Sequence, residues 1–587
     1  MTDAVHALTE PGAGTALRLP EDMHAAVDDA MRRAVAERWA TRIWERDTSL
    51  WTTDARVAAS IANRLGWLDA PMHFQEQLEE LTGFASGIVE AGFTAAIVCG
   101  MGGSSLAPDV LAHAFAHSAH GLPLSVLDST DPEAVWAIDT ANAKGQPLFL
   151  IATKSGTTTE TLAFLAYFWD ERKHRVGSIP RAEAGDSFAA ITDPEESLKA
   201  IPHSDLFREV FLNPPDVGGR YSALTYVGMV PASLLGLDLE ELLADAEVMA
   251  ERCQGDDGRN PGLLLGVTLG ALATAGRDKV TFVLEPQLSE FGAWAEQLIA
   301  ESTGKHGVGI VPVDGEPLGP PSVYGADRVF VRIGRDTETD WLAGTDDALD
   351  ALAAAGHPVV DITLQGGEWL GGEFFRWEFA TAVAGIVIGV NPFDEPNVTE
   401  SKENTKAVLE RFHDDGSLPA EEPLATQGRL RLIGDAALRL TAAGGDVQTE
   451  LRRHLDRAKP NSYHAIGAFI APTPARTALL RQIQKLLRDR TRHATTLGYG
   501  PRYLHSTGQL HKGGARIGCF LQLVSGHPRD LPIPGRKETF GTLIDAQALG
   551  DFASLQSHEL PVLRVHLSDD PDAGLAELRD ALEAALA

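Results

Sequence analysis

The chain has 587 residues, 44% of them hydrophobic and 22% charged, enough for several cores and more than one domain. Asp and Glu outnumber Lys and Arg by 82 to 50, and the formal charge of -32 excludes general attraction to nucleic acid or anionic lipid, so any bound anion must be gripped locally. The three cysteines, Cys99, Cys253 and Cys519, form no CxxC pair, which argues against a disulfide framework or cysteine-rich zinc site and for a reduced, cytoplasmic setting.

In chain order, residues 20–46 read as helix with an apolar face through Met23, Val27, Met31, Val35 and Trp39. A helical cap over 1–85 is expected. Short apolar runs follow at 95–98, 124–127, 148–152 and 188–191, separated by helical stretches, as strands buried on both faces of a parallel sheet should be. After a Gly/Asp-rich segment at 254–258 the pattern repeats, with candidate strands at 280–284, 308–313, 329–333 and 359–362. Beyond Lys402 it becomes more helical, over 451–458 and 475–487, before apolar runs at 516–524 and 562–567. No stretch near the start combines basic residues with an apolar core and a small-residue cleavage site, and no run reaches about 18 apolar residues, so neither secretion nor membrane insertion is expected.

Two loops stand out. "CGMGGSSLAPDV", Cys99 to Val110, follows the first candidate strand. It reads as a dinucleotide fingerprint, a cradle for a smaller phosphate, or a tight corner; Ser105 stands where a dinucleotide site wants its last glycine, although Asp128 imitates a ribose-binding acid. "LFLIATKSGTTTETL", Leu148 to Leu162, runs from a buried strand into a helix beginning near Thr159 and Glu160. Five of the seven residues 153–159 carry hydroxyls, more than helix capping needs. Hydroxyls and free N–H groups at a helix N-terminus suit a phosphate dianion, and two such loops at strand ends of one sheet share an edge.

This pair of loops resembles the sugar-isomerase family of phosphosugar-binding domains, and the later segments narrow the resemblance to the glucose-6-phosphate isomerase family. The segments that carry it are "GMGGSSLAP" at 100–108, "TKSGTTTET" at 153–161, "VGGRYS" at 217–222, "QLIAESTGK" at 297–305 and "NPFDEPNVTESK" at 391–402. It spans about residues 90–405, with a further match near His505. The chain is especially similar to the isomerase part of bifunctional transaldolase/glucose-6-phosphate isomerases, without a stretch long enough for the transaldolase barrel. The implied fold is α/β: two parallel-sheet, three-layer α/β/α modules of sugar-isomerase type at 86–250 and 251–404, between a helical cap at 1–85 and a helical and mixed segment at 405–587.

The implied chemistry moves a proton between C2 and C1 of a phosphosugar through an enediol. The resemblance makes Glu301 the base, Arg220 the stabiliser of the enediolate oxygen, and Lys402 a helper at the ring oxygen. Ring opening calls for an imidazole, and His505 is preferred, with His511 in reserve. Substrate contacts fall to Gly103, Ser104, Thr153, Lys154, Ser155 and Thr158, with Gln297 one helical turn before Glu301. From the residues alone, without the surrounding motif, Glu301 reads first as a helix-end acid pairing with Lys305 four residues on.

The chain departs from the family pattern in several places. Its histidine follows Lys402 instead of preceding it, Gly156 replaces an aromatic position, Thr303 replaces Asn, and Glu395 replaces Gln. The Gly156 and Thr303 changes are expected to enlarge or soften the pocket, and Glu395 to stand unfavourably near a phosphate. No metal or other cofactor is expected, and a homodimer is implied. Two competing functions are a non-catalytic phosphosugar-binding regulator, which would not need Arg220, Glu301 and Lys402, and a nicotinamide-dependent oxidoreductase, weakened by Ser105.

Overall fold

The nearly continuous apolar runs become strands covered on both faces. In the computed structural model, which describes residues 14–116, 120–175, 184–335, 340–364, 369–441 and 444–587, these strands build three sheets. The described chain opens with β1 (Thr15–Arg18) and α1 (Glu21–Ala36), and further helices continue to Glu90. The first sheet then gathers β2 (Ala95–Cys99), β3 (Leu124–Leu127), β4 (Pro147–Ala152), β5 (Phe188–Thr192) and β6 (Glu209–Leu212) in the order β3-β2-β4-β5-β6, all parallel. Between β4 and β5 runs α2 (Thr159–Arg175).

The second sheet contains β7 (Lys279–Leu284), β8 (Val311–Val313), β9 (Arg328–Arg335) and β10 (Val359–Leu364), in the order β1-β10-β9-β7-β8. It is parallel except for β1, which returns from the N-terminus to close the β10 edge antiparallel. Helices α3 (Pro261–Thr274), α4 (Phe291–Thr303), α5 (Leu370–Ile388) and α6 (Val398–Asp415) belong to this half. Helices α3 and α5 are apolar nearly all round, as helices enclosed on every side must be. They pack closely because Gly262, Gly266 and Gly270 lie one turn apart; a Cβ at Gly266 would meet the Ala380 carbonyl oxygen at 2.3 Å.

The C-terminal part differs from expectation. Where residues 405–587 were expected to be helical and mixed, β11 (Ala425–Gln427), β12 (Leu430–Gly434), β13 (Tyr463–Phe469), β14 (Ala494–Tyr499), β15 (Gly518–Val524) and β16 (Val562–His566) form a third sheet, ordered β11-β12-β16-β15-β13-β14. Its central strands are parallel, with α7 (Pro474–Thr491) and α8 (Phe540–Ser557) as crossovers. The strands β13, "YHAIGAF", and β14, "ATTLGY", mix polar residues and glycine with apolar ones, which hides them from a search for apolar runs. The buried His464, Thr495 and Thr496 show that these polar positions still face the interior. This module is held to the first by a shared apolar cluster in which Phe540 stacks on Phe164 at 6.1 Å and meets Tyr167 edge-on at 5.8 Å.

Candidate active site

Strands β2 and β4 are parallel neighbours with Cys99 opposite Ile151, so the two loops singled out in the sequence emerge side by side. In the loop after β4, the Thr153 and Thr158 hydroxyls lie 2.9 Å apart, as do those of Ser155 and Thr157. Lys154 Nζ donates to Asp193 Oδ2 at 2.6 Å and to the Pro215 carbonyl at 3.4 Å. Ser104 lines a small cavity with Lys154, Asp193, Gly219 and Ser222.

The glycines of the first loop have steric reasons. A Cβ at Gly103 would come within 2.2 Å of the Gly219 carbonyl oxygen, so here two backbones touch and no side chain fits between them. Gly102, with φ of +54°, lies against the His505 carbonyl oxygen and Gln297 Nε2. The corner is therefore neither a dinucleotide fingerprint nor a mere turn: it is the meeting point of segments from all three modules. Ser105 Oγ turns inward to the Gly102 carbonyl at 3.1 Å and to Asp128 Oδ2 at 3.3 Å, which engages the acid that imitated a ribose ligand.

One layer away, α4 presents Gln297 and Glu301 on one face. The short turn Gly219–Tyr221 sends Arg220 into the same space, only 4% exposed. Arg220 Nη1 donates to Glu301 Oε1 at 3.0 Å and to Glu395 Oε2 at 3.1 Å; Nη2 donates to the carbonyls of Pro392 and Asp394, and Nε to Ser302 Oγ at 2.8 Å. Gln297 Nε2 donates both to Glu301 Oε2 at 3.1 Å and to the His505 carbonyl at 2.7 Å. Burial raises the Glu301 carboxyl above its usual range; Arg220 opposes the rise and Glu395 adds to it. For Arg220, burial alone would lower the pKa, but the charges of Glu301 and Glu395 carry it higher.

The two candidate histidines are in very different surroundings. His505 closes the turn Arg502–His505, and its Nε2 lies 3.0 Å from Glu160 Oε1. With Thr158, Glu160 and Lys402 it lines a cavity of about 270 Å³. His511 is buried against Phe520, Tyr463 and Tyr503, with neither ring nitrogen bonded, and burial drives it down to about 3. An imidazole so enclosed stays neutral and cannot pass a proton to a ligand, so the geometry favours His505. Lys402, exposed on α6, makes no hydrogen bond or ion pair with the described residues.

Several expectations change. Glu301 pairs with Arg220 and not with Lys305, which donates to Asp394 Oδ1 at 2.7 Å and to the Asn391 carbonyl. Gly156 does not enlarge a pocket: its φ is +68° and a Cβ there would strike the Ser197 carbonyl oxygen at 1.9 Å. Thr303 does not soften one either, since its hydroxyl donates to the Ile299 carbonyl and accepts from the Ile310 amide. Glu395 rests on Arg220, so it alters the charge around the guanidinium and not the phosphate loop.

Sequence reasoning missed the support behind His505. Glu160 is buried, and its Oε1 also accepts from Gln547 Nε2 at 2.7 Å, while Gln547 Oε1 accepts from the Thr130 hydroxyl at 2.7 Å. Burial would raise Glu160, but His505 and, more weakly, Lys402 hold it below its usual value. A glutamate inside "TTTETL" was visible; nothing marked Gln547, 387 residues away on α8. Among the described residues, no three His, Cys, Asp or Glu side chains come together as a metal site would require.

The chain is similar to proteins of one enzyme family. The family model described as phosphoglucose isomerase matches residues 38–314. A glucose-6-phosphate isomerase of Rubrobacter xylanophilus is 31% identical over 408 residues, covering 61% of this chain and 92% of that relative. One from Lactobacillus helveticus is 27% identical over 399 residues, covering 60% and 89% respectively. Among solved structures, a hypothetical protein from Thermus thermophilus superposes with a TM-score of 0.56 at 25% identity, covering 67% of this chain and 100% of its own.

Proposed function

Since the chain belongs to the glucose-6-phosphate isomerase family, we propose that it interconverts glucose 6-phosphate and fructose 6-phosphate by ring opening and enediol proton transfer. The observation that carries this reading is the bonded path from Arg220 through Glu301 and Gln297 to the backbone of His505, which links an acid–guanidinium pair to the cavity beside the hydroxyl-rich loop.

The phosphate is received by Ser104 with the hydroxyls and amides of Thr153, Ser155 and Thr158, backed by the N-terminus of α2, and Gly103 leaves the backbone close enough to take part. Lys154 adds charge at this end, moderated by Asp193. With Nε2 of His505 held by Glu160, Nδ1 is the ring nitrogen left to pass a proton at the sugar ring oxygen, and the Lys402 ammonium favours the opened form. Glu301 then takes the proton from one carbon and returns it to the other, with Gln297 fixing its second oxygen. Arg220 stabilises the enediolate oxygen; a guanidinium keeps its proton beside a base, as a lysine would not. No step calls for a cofactor.

A homodimer, as the family implies, belongs to this proposal. No helix among the described residues is long and apolar enough to cross a membrane, and a cytoplasmic location is consistent with three free, buried cysteines. To test the function, purified protein is incubated with fructose 6-phosphate in deuterated water without added cofactor. Deuterium at C2 of glucose 6-phosphate is expected; tight binding without exchange would instead indicate a non-catalytic phosphosugar binder.

A further inference from the structure

A second cavity, of about 1170 Å³, is lined by the ends of strands from all three sheets: Asp128 after β3, Leu284 of β7 and Tyr499 of β14. These are the C-terminal edges of parallel strands, where open α/β sheets receive ligands, and the volume is that of a generous small-molecule pocket. It shares neither the hydroxyl-rich loop nor Glu301, Arg220, Lys402 or His505 with the site described above.

Most of the charge on its wall is matched. His113 Nδ1 lies 3.2 Å from Asp109 Oδ1, Arg502 Nη1 lies 3.7 Å from Asp109 and 3.6 Å from Asp128, and Arg481 Nη2 donates to Asp314 Oδ2 at 3.3 Å. Two glutamates on α4 and its N-cap are left over. Glu296 is 7% exposed and makes no hydrogen bond or ion pair with any described residue. Among the described residues Glu290 accepts a hydrogen bond from the neighbouring Ser289 hydroxyl alone, at 3.4 Å, while the charges of Arg502 and His113 reach it without an ion pair. A buried acid without a partner costs stability, and a native fold keeps one for a reason. Burial, with Asp314 adding to it and the more weakly felt Arg502 and Arg481 opposing it, pushes Glu296 up to about 8.

Their spacing selects the ligand. Glu290, Ala293 and Glu296 follow one another at every third position along one stripe facing the cavity, and the helix rise sets the two acids about 9 Å apart. That is too far to share one metal ion, but it suits two cationic heads joined by a methylene chain, with Ala293 and Leu284 offering apolar cover between them. We propose that this cavity binds an aliphatic diamine or polyamine, one ammonium on Glu296 and another on Glu290.

The test is isothermal titration calorimetry of the full chain with spermidine at near-physiological salt, which screens adsorption to the acidic surface. One saturable site per chain is expected. The heat should vary with the buffer's ionisation enthalpy, because an ammonium beside Glu296 expels its proton at pH 7. Glu296→Gln should weaken binding about tenfold or more and abolish the proton release. Glu290→Gln should weaken it without removing the release, and serves as the probe if Glu296→Gln does not fold. Glu559→Gln, at a side chain 87% exposed, should change nothing. Equal affinity in wild type, Glu296→Gln and Glu290→Gln, only unsaturable adsorption, or uptake of neutral sorbitol in place of spermidine would overturn the proposal.

Discussion

Glu301 stands between two opposing influences, burial that favours its protonated form and Arg220 that favours its charge. Burial wins, so Glu301, the proposed base, is half-neutralised at a pH above that of an exposed glutamate. Turnover requires the ionised form; activity should therefore fall with acid in a range above the ordinary glutamate value. Glu395 contributes to that rise, and Glu395→Gln should move the acid limb of the kcat profile to lower pH; an unmoved limb, or one shifted upward, would contradict this action of Glu395 on Glu301. Glu160→Gln removes the carboxylate facing His505 Nε2 and should slow turnover of the cyclic sugar by about 10- to 100-fold, while sparing the open-chain substrate, as stopped-flow assays on the two forms would tell. At this scale the sequence was informative wherever a residue sat inside a dense motif: Glu301, Arg220 and the threonines could be named. Glu160 was on display but read as helix start, because a carboxylate's partner lies in another module. Gln547 had no local signal, since its role depends wholly on the fold bringing α8 under α2.

Among the elements, the glycine-rich turn after β2 is where packing most directly constrains catalysis. Gly103→Ala would put a methyl group 2.2 Å from the Gly219 carbonyl, and Gly219 precedes Arg220. The two loops must then separate, shifting Ser104 and Arg220 together. Both kcat and KM should suffer, with thermal stability changed far less than for a core truncation; unaltered kinetics would mean the turn tolerates separation. Apart from edge strands β1 and β6, the latter largely open to solvent, strands of the first two modules were legible because they are short, apolar and bounded by turns, and those at 95–98 and 329–333 fall within a residue or two of β2 and β9. Edge strand β1 escaped notice since only a distant partner, β10, makes it a strand. In β13 and β14, buried His464, Thr495 and Thr496 break the apolar pattern that betrays a strand.

Over the whole molecule, three sheets converge on one corner, and the third brings His505, the proposed ring-opening imidazole, to it. That explains how a histidine can follow Lys402 in the chain and yet line the same cavity: β14 delivers the turn Arg502–His505 to the mouth between α2 and α6. Alignment of this module therefore matters to chemistry. Phe540, fully buried at the seam against Phe164 and Tyr167, is its anchor. Phe540→Ala should cost about 3–5 kcal/mol, lowering Tm, and reduce turnover of the cyclic sugar more than phosphosugar affinity. Calorimetry with steady-state kinetics would check both, and a stability loss with untouched ring opening would separate the seam from the site. The existence of a third α/β module was the least legible feature, because its identity rests on pairing and not on composition.

The most direct test joins two readings on one protein, Glu301→Gln. Its C1–C2 proton exchange with deuterated water and its affinity for an inert open-chain analogue, glucitol 6-phosphate, are measured side by side. Loss of exchange by about 100-fold or more, with affinity within about threefold of wild type, is the predicted split. Exchange that persists, or a loss of affinity as large as the loss of exchange, would contradict the assignment of this carboxylate as the base.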